Sequence, residues 1–303
     1  MAGTDERGRR LRTPGYVSAI PAFVWMVVFF ALPLSLIAYY SLGHKPDFLT
    51  PISMQGLGLS SYHDALSGPF LQTFRNTLTI AVVGTALCLL IAFPFAYAVA
   101  VRMAPRWRGL AIGLVMIPFW TSFLIRTIGW RIILSPDGWL SHWMQSAGLR
   151  GSPIQILDTR YAVQLGVVYN YLPLMILPLF VALSRLEPAL QEAARDLGAR
   201  PSRTLWQVTV PLAMPGVIAG CLLVFIPLTG DYITATVLGG ARGNMVGQLV
   251  ASQFLLAQDW AEGSALAIVL IVMTLCVVGI FGIVGLGIRS VVRHQRALEP
   301  AWA

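Results

Sequence analysis

The amino-acid sequence predicts an all-α fold, a polytopic membrane bundle of six transmembrane helices. Two observations carry that expectation. Only 11% of the 303 residues are charged and 56% are hydrophobic, whereas a soluble domain carries about a quarter charged residues. The hydrophobic residues are also gathered into six runs of 22 to 27 residues. Each run is long enough to cross about 30 Å of hydrocarbon with some tilt. Length alone would suggest one or two soluble domains; the apolar runs overrule it.

In chain order the expected spans are residues 16–42, 78–101, 110–134, 161–183, 217–238 and 264–288. The tail before the first span, "MAGTDERGRRLRTPG", is basic and superficially resembles a signal peptide. Its apolar run is too long for a signal h-region, and no clear small-residue cleavage site follows. The expected organisation is a tail at 1–15, a membrane domain at 16–288 and a second tail at 289–303.

Basic residues set the orientation. Arg7, Arg9, Arg10 and Arg12 precede the first span. Arg102, Arg106 and Arg108 lie between the second and third. Arg185, Arg195, Arg200 and Arg203 lie between the fourth and fifth, and Arg289, Arg293 and Arg296 follow the sixth. These alternate segments share one side and hold 14 basic residues. The opposite side holds five: Lys45, Arg75, Arg150, Arg160 and Arg242. The heavier side is expected in the cytoplasm, which places both termini inside. The net charge of +8 therefore has a topological cause. No interleaved basic and aromatic groove points to nucleic acid.

Cys88, Cys221 and Cys276 lie within apolar runs; their odd count and placement argue against a disulfide framework. Gly109 and Gly113 are four apart, as are Gly216 and Gly220, a spacing that lets helix backbones approach closely. His44, His63, His142 and His294 are scattered without metal-ligand spacing. The chain lacks G-x-S-x-G, H-E-x-x-H and G-x-x-x-x-G-K-[ST]. No cofactor is expected on it, and energy for any driven process must come from another chain or an ion gradient.

One stretch between the fourth and fifth spans stands apart, "QEAARDLGARPSRTLWQVTVP" at 191–211. Pro188 suits the first turn of a helix. Glu187, Glu192 and Asp196 give that helix an acidic character, favourable near its N-terminus. Leu190, Ala193 or Ala194, and Leu197 follow i, i+3/i+4, i+7 spacing. Gly198 can end the helix in the left-handed conformation. Pro201 is expected to start a second short helix bearing Leu205, Trp206 and Val208, with Pro211 and Pro215 breaking the chain before the fifth span. An alanine-rich, acid-bearing face suits a protein groove better than lipid, where basic polar faces and bulky anchors prevail.

This stretch resembles the signature loop of the membrane subunits of binding-protein-dependent ABC importers: E-A-A, three residues, Gly, nine residues, an aliphatic residue, one more, then Leu-Pro. Here Glu192, Ala193, Ala194, Gly198, Val208 and Val210-Pro211 stand at those positions, with valine for the usual isoleucine and leucine. "IPFWTSFLIRTIGW" (117–130), "SPDGWL" (135–140), "VVYNYLPLMILPLF" (167–180), "LEPALQEAARDLGA" (186–199), "VFIPLTGDYIT" (224–234), "LGG" (238–240) and "SQFLLAQDW" (252–260) resemble the spermidine/putrescine permease branch.

The resemblance implies a type I ABC importer permease fold and a transport subunit rather than an enzyme. It implies a small organic cation as substrate, a polyamine such as spermidine or putrescine, crossing the bacterial inner membrane. The implied partners are two cytoplasmic ATPase subunits carrying the ATP and magnesium, a second homologous permease, an external solute-binding protein and the lipid membrane. In that family a cytoplasmic coupling loop, here 184–213, docks on the ATPase. The resemblance assigns Glu192, Ala193, Ala194 and Gly198 to coupling, with Asp196 and Arg195 as rim contacts. An ABC permease for another organic solute remains an alternative, since fold does not determine substrate. An ion-driven secondary transporter would show inverted repeats, and none is visible.

The candidate pathway residues are Asp231, Tyr232, Asn170, Tyr169, Arg126 and Trp120. Counting from the assumed span ends at 1.5 Å per residue sets Arg126, Asn170 and Asp231 roughly 10–14 Å below the outer boundary. Ionisable groups at that depth face a partner or a wet cavity. Tyr169, Tyr171 and Tyr232 flank them and can offer aromatic faces to an ammonium group. Two readings of Asp231 stand side by side: it lines the route or its gate, or it pairs with Arg126.

Overall fold

The computed structural model describes residues 15–297 except 48, 150 and 241. The described residues are mostly helical, with one isolated antiparallel bridge between His44 and Ser53. Five helices are long and apolar enough to cross a membrane: Ala19–Tyr40, Phe70–Arg102, Arg160–Ser184, Pro201–Thr229 and Trp260–Ile283. Counted as one span, the pair Pro105–Trp120 and Phe123–Ser146, bent by 87°, makes a sixth. Most of the two tails, 1–14 and 298–303, lies outside the described residues; the sixth-span helix itself continues to Ala297.

The fourth span forms the centre of the bundle and packs mainly on the second and fifth. Its buried face carries Val163, Val167, Met175, Ile176 and Leu179. These meet Ala81, Cys88 and Ala92 of the second span and Val224, Phe225 and Leu228 of the fifth. Of the two small-residue pairs, only one packs inside the chain. A Cβ on Gly216 would run into the Ala182 side chain and the Pro178 carbonyl oxygen, and one on Gly220 would meet the Met175 sulfur at 2.7 Å. Gly109 and Gly113 have open space around them. Cys88 and Cys221 are buried free thiols, while Cys276 is exposed.

Two expectations about breaks are corrected. The third span is not one straight helix. Pro118–Trp120 forms a 3₁₀ turn, Thr121 is extended, Ser122 is non-helical, and a new helix starts at Phe123. The fifth-span helix, by contrast, is unbroken from Pro201, well before the expected start at 217, and contains Pro211 and Pro215. A π turn at Leu205–Thr209 lets the Val210 N–H bond the Leu205 carbonyl, five residues back. This wider turn accommodates the donor that Pro211 lacks. The fifth-span helix instead ends early, at Thr229. Gly230 and Asp231 interrupt it, and a second π turn follows at Ala235–Gly239.

Cross-links hold these breaks in place. The Arg131 guanidinium donates to the Val237 carbonyl, and the Asp158 N–H donates to that of Leu238 at 3.0 Å. On the second span, Thr77 Oγ1 accepts from the Val246 N–H at 2.8 Å, and the Asn76 amide donates to the Asn244 carbonyl. Side chains of the spans thus satisfy backbone groups that an interrupted helix would leave unpaired in hydrocarbon.

Candidate functional site

The stretch that carries the family signature forms an exposed helix, Pro188–Asp196, between the fourth and fifth spans. Gly198 adopts φ +79°. Its N–H bonds the Arg195 carbonyl at 2.8 Å, and the Ala199 N–H bonds that of Ala194 at 3.0 Å. This paired pattern is the Schellman stop, which needs a left-handed residue and so favours glycine. Glu192, Ala193, Asp196 and Gly198 are exposed, and Ala194 is half-buried. Leu190 and Leu197 are exposed as well, which leaves an apolar edge beside the acids. The chain then turns directly into the fifth-span helix at Pro201. A push on the short helix therefore reaches a membrane helix across only four residues.

The second group of residues lies where the third, fourth and fifth spans meet. Asn170 is buried, and its Nδ2 donates to Thr127 Oγ1 at 3.1 Å. Thr127 in turn donates to the Phe123 carbonyl at 2.9 Å. Arg126, next to Thr127, folds its guanidinium over the Phe119 and Phe123 rings, each 5.6 Å away, in cation–π geometry. The Tyr169 ring stacks edge-on against Trp130 at 5.4 Å, and Tyr171 does so against Phe123 at 5.9 Å. The Tyr171 hydroxyl donates to the Pro227 carbonyl at 3.4 Å.

Asp231 is buried. One carboxyl oxygen accepts from the Thr234 N–H at 2.9 Å and the other from the Thr234 hydroxyl at 2.6 Å. This is an N-cap, in which a carboxylate takes up a free N–H in the first turn of a helix. It restarts the chain after the break at Gly230. Among the described residues no ion pair joins Asp231 to Arg126. Tyr171 stands near both.

The cluster therefore gathers Arg126, Tyr169, Asn170 and Asp231, but not on the expected grounds. The count from 134 back to 126 stays within one helix, Phe123–Leu134, but the 87° bend before it means that this helix does not run straight on from the first half of the span, as the depth reading assumed. The Asn170–Thr127 bond ties the two spans at this point. Tyr232 and Trp120 are exposed; among the described residues neither side chain bonds to the cluster. Thr127 and Thr234 were missed. The Asp-x-x-Thr spacing of a cap was the legible signal for Thr234, and nothing local marks Thr127.

Residues 16–289 match the family described as binding-protein-dependent transport system inner membrane component. The chain belongs to this family. It is 38% identical over 254 residues to the spermidine/putrescine transport system permease protein PotB of Haemophilus influenzae, covering 83% of this chain and 87% of that protein. It is 36% identical over 249 residues to the PotB of Escherichia coli K12, covering 82% and 90%. Its fold is similar to a chain of the bacterial alginate ABC transporter in complex with an alginate pentasaccharide-bound periplasmic protein. The TM-score is 0.70 at 16% identity, covering 88% of this chain and 92% of that one. The fold is that of a type I ABC importer permease, and members of this family are multi-pass inner membrane proteins.

Proposed function

We propose that this chain is the permease subunit of an ATP-driven importer of a small organic cation, a polyamine of the spermidine/putrescine class. The observation that carries the reading is the 38% identity to a spermidine/putrescine permease over most of both chains. Two ATPase subunits supply ATP and magnesium from the cytoplasm, a second permease completes the channel, and an external solute-binding protein delivers substrate. Both termini and the helix Pro188–Asp196 lie on the cytoplasmic side.

In this mechanism the short helix sits in a groove on one ATPase, with Glu192, Ala193, Ala194 and Asp196 at the contact. Gly198 gives it a firm end. Closure of the ATPase pair displaces the helix, and the fifth-span helix starting at Pro201 carries the displacement into the bundle. Beyond the break at Gly230, Asp231, Tyr232, Asn170, Tyr169, Arg126 and Trp120 border the route. The tyrosine rings offer apolar faces and quadrupoles to an ammonium chain, and Asp231 contributes a negative field from behind Tyr171.

The test is uptake into proteoliposomes that hold the complete complex. Labelled spermidine or putrescine should accumulate only with internal ATP, magnesium and the solute-binding protein. Accumulation of a different solute alone would replace the polyamine. Uptake driven by an ion gradient without the ATPase would replace the importer reading altogether.

A further inference from the structure

A groove of about 420 Å³ runs along the fourth span, walled by Leu87 and Ile91 of the second span and Trp130 of the Phe123–Leu134 helix. The fourth span lines it with two rows at helical spacing: Gln164, Val168 and Leu172, and beside them Tyr161, Leu165 and Tyr169. Residues four apart lie one above the other on a helix. Among the described residues no charged side chain lines these walls, so a polyamine would leave its charges unmatched there. From Tyr161 to Leu172 the groove is about 16 Å long at 1.5 Å per residue, close to the roughly 15 Å of hydrocarbon in one leaflet. Its section is then roughly 25 Å², whereas a helix about 10 Å across needs roughly 80 Å². One hydrocarbon chain fits that section and a membrane helix does not. Arg160 continues the first row one turn beyond Gln164, at the start of the helix, and is exposed. Tyr161 beside it is exposed as well. Tyrosine is favoured at the headgroup level of a membrane, and a guanidinium binds phosphate through two parallel hydrogen bonds.

We infer that this groove holds one acyl chain of a membrane phospholipid, whose phosphate is bound by Arg160. The apolar rows supply the contact for the acyl chain, and the guanidinium sets its depth by holding the headgroup at the start of the fourth span. Three walls and one charge make this lipid a resident of the bundle, unlike the exchanging lipid around it. Tyr169, proposed above to border the route, also lines the groove, so the acyl chain packs directly on it. Only a membrane-spanning protein is needed for this site, not the importer reading.

The experiment purifies the full chain from membranes in a mild detergent, with whatever subunits it holds, and washes it until the phospholipid content is constant. Phosphate assay and mass spectrometry then count phospholipid per chain. Arg160→Gln removes the phosphate contact and Val168→Trp fills the groove; each should lower the count by one molecule per chain. Arg75→Gln, an exposed arginine on the second span outside the groove, should leave it unchanged. A benzophenone-bearing amino acid at Ile91, with Arg160 intact, should add the mass of a phospholipid to this chain on irradiation. This arm reads the groove even if Val168→Trp lowers the amount of folded protein. An unchanged count in Arg160→Gln overturns the inference, as does an equal loss in Arg75→Gln, which would report net charge alone. Crosslinking at Ile91 to a peptide of another subunit, with no phospholipid adduct, overturns it too, because protein would then cover the groove.

Discussion

Asn170 Nδ2 donates to Thr127 Oγ1 at 3.1 Å, and this bond ties the fourth span to the helix that restarts after the break in the third. Hydrogen bonds between membrane helices contribute about 0.6 kcal/mol on average and up to roughly 1.7. Asn170→Ala and Thr127→Val should each lower thermal stability in detergent by about that order. The double variant should lose less than the sum, since one shared bond is removed. Strict additivity in the four-way comparison would show that the two residues act separately.

Asp231 caps the helix after Gly230 through Thr234. Asn and Asp cap about equally well, and Ala costs about 1 kcal/mol. Asp231→Asn should therefore leave the amount of folded protein near wild type, and Asp231→Ala should lower it. If the negative field of Asp231 also serves the route, Asp231→Asn will slow uptake of a cationic substrate several-fold at normal protein level. Unchanged uptake in that variant would reduce Asp231 to its capping role.

Gly198 has φ +79° with nothing within 4 Å of a built Cβ, so backbone strain alone decides what it tolerates. Asn enters the left-handed region more readily than branched residues do. Gly198→Asn should retain transport, and Gly198→Val should uncouple ATP hydrolysis from uptake while the complex still assembles. Glu192→Ala should behave like Gly198→Val. The ratio of ATP hydrolysed to substrate imported is the measurement, and a wild-type ratio in both uncoupling variants would remove the coupling role.

The two glycine pairs make opposite predictions. Gly216→Val should lower the yield of folded protein sharply, because its side chain would enter Ala182 and the Pro178 carbonyl across a packed interface. Gly109→Ala points into open space and should be neutral or slightly stabilising within a helix. Thermal melts of the purified chain in one detergent compare them directly; equal melting points would contradict the packing.

The basic asymmetry of 14 to five predicts sidedness. A reporter active only in the cytoplasm should work when fused at Arg296 and fail when fused near Asp64. Arg200→Cys should resist an impermeant thiol reagent added outside intact cells. Labelling at that position from outside would invert the topology.

Features with local causes were legible in the chain alone. Apolar runs specify spans because hydrocarbon thickness sets their length. Pro188, the acids and Gly198 specify a short capped helix because capping needs only neighbours in the chain. The Gly216–Gly220 spacing offered a close approach, but Gly109 and Gly113 offered the same one. Packing chose between them, since a contact needs a partner surface that spacing does not name. The prolines divided in the same way. Pro118 lies at a break stabilised across spans by Arg131 and Val237, whereas Pro211 sits in an unbroken helix because a π turn absorbs its missing donor. Asp231 looked equally ready to pair with Arg126 or to face the route. The fold gave its oxygens to Thr234 and left the Arg126 donors unpaired, because a charge in a membrane bundle is matched by whatever the packing brings within a few ångströms, and that distance is written in no single stretch of the chain.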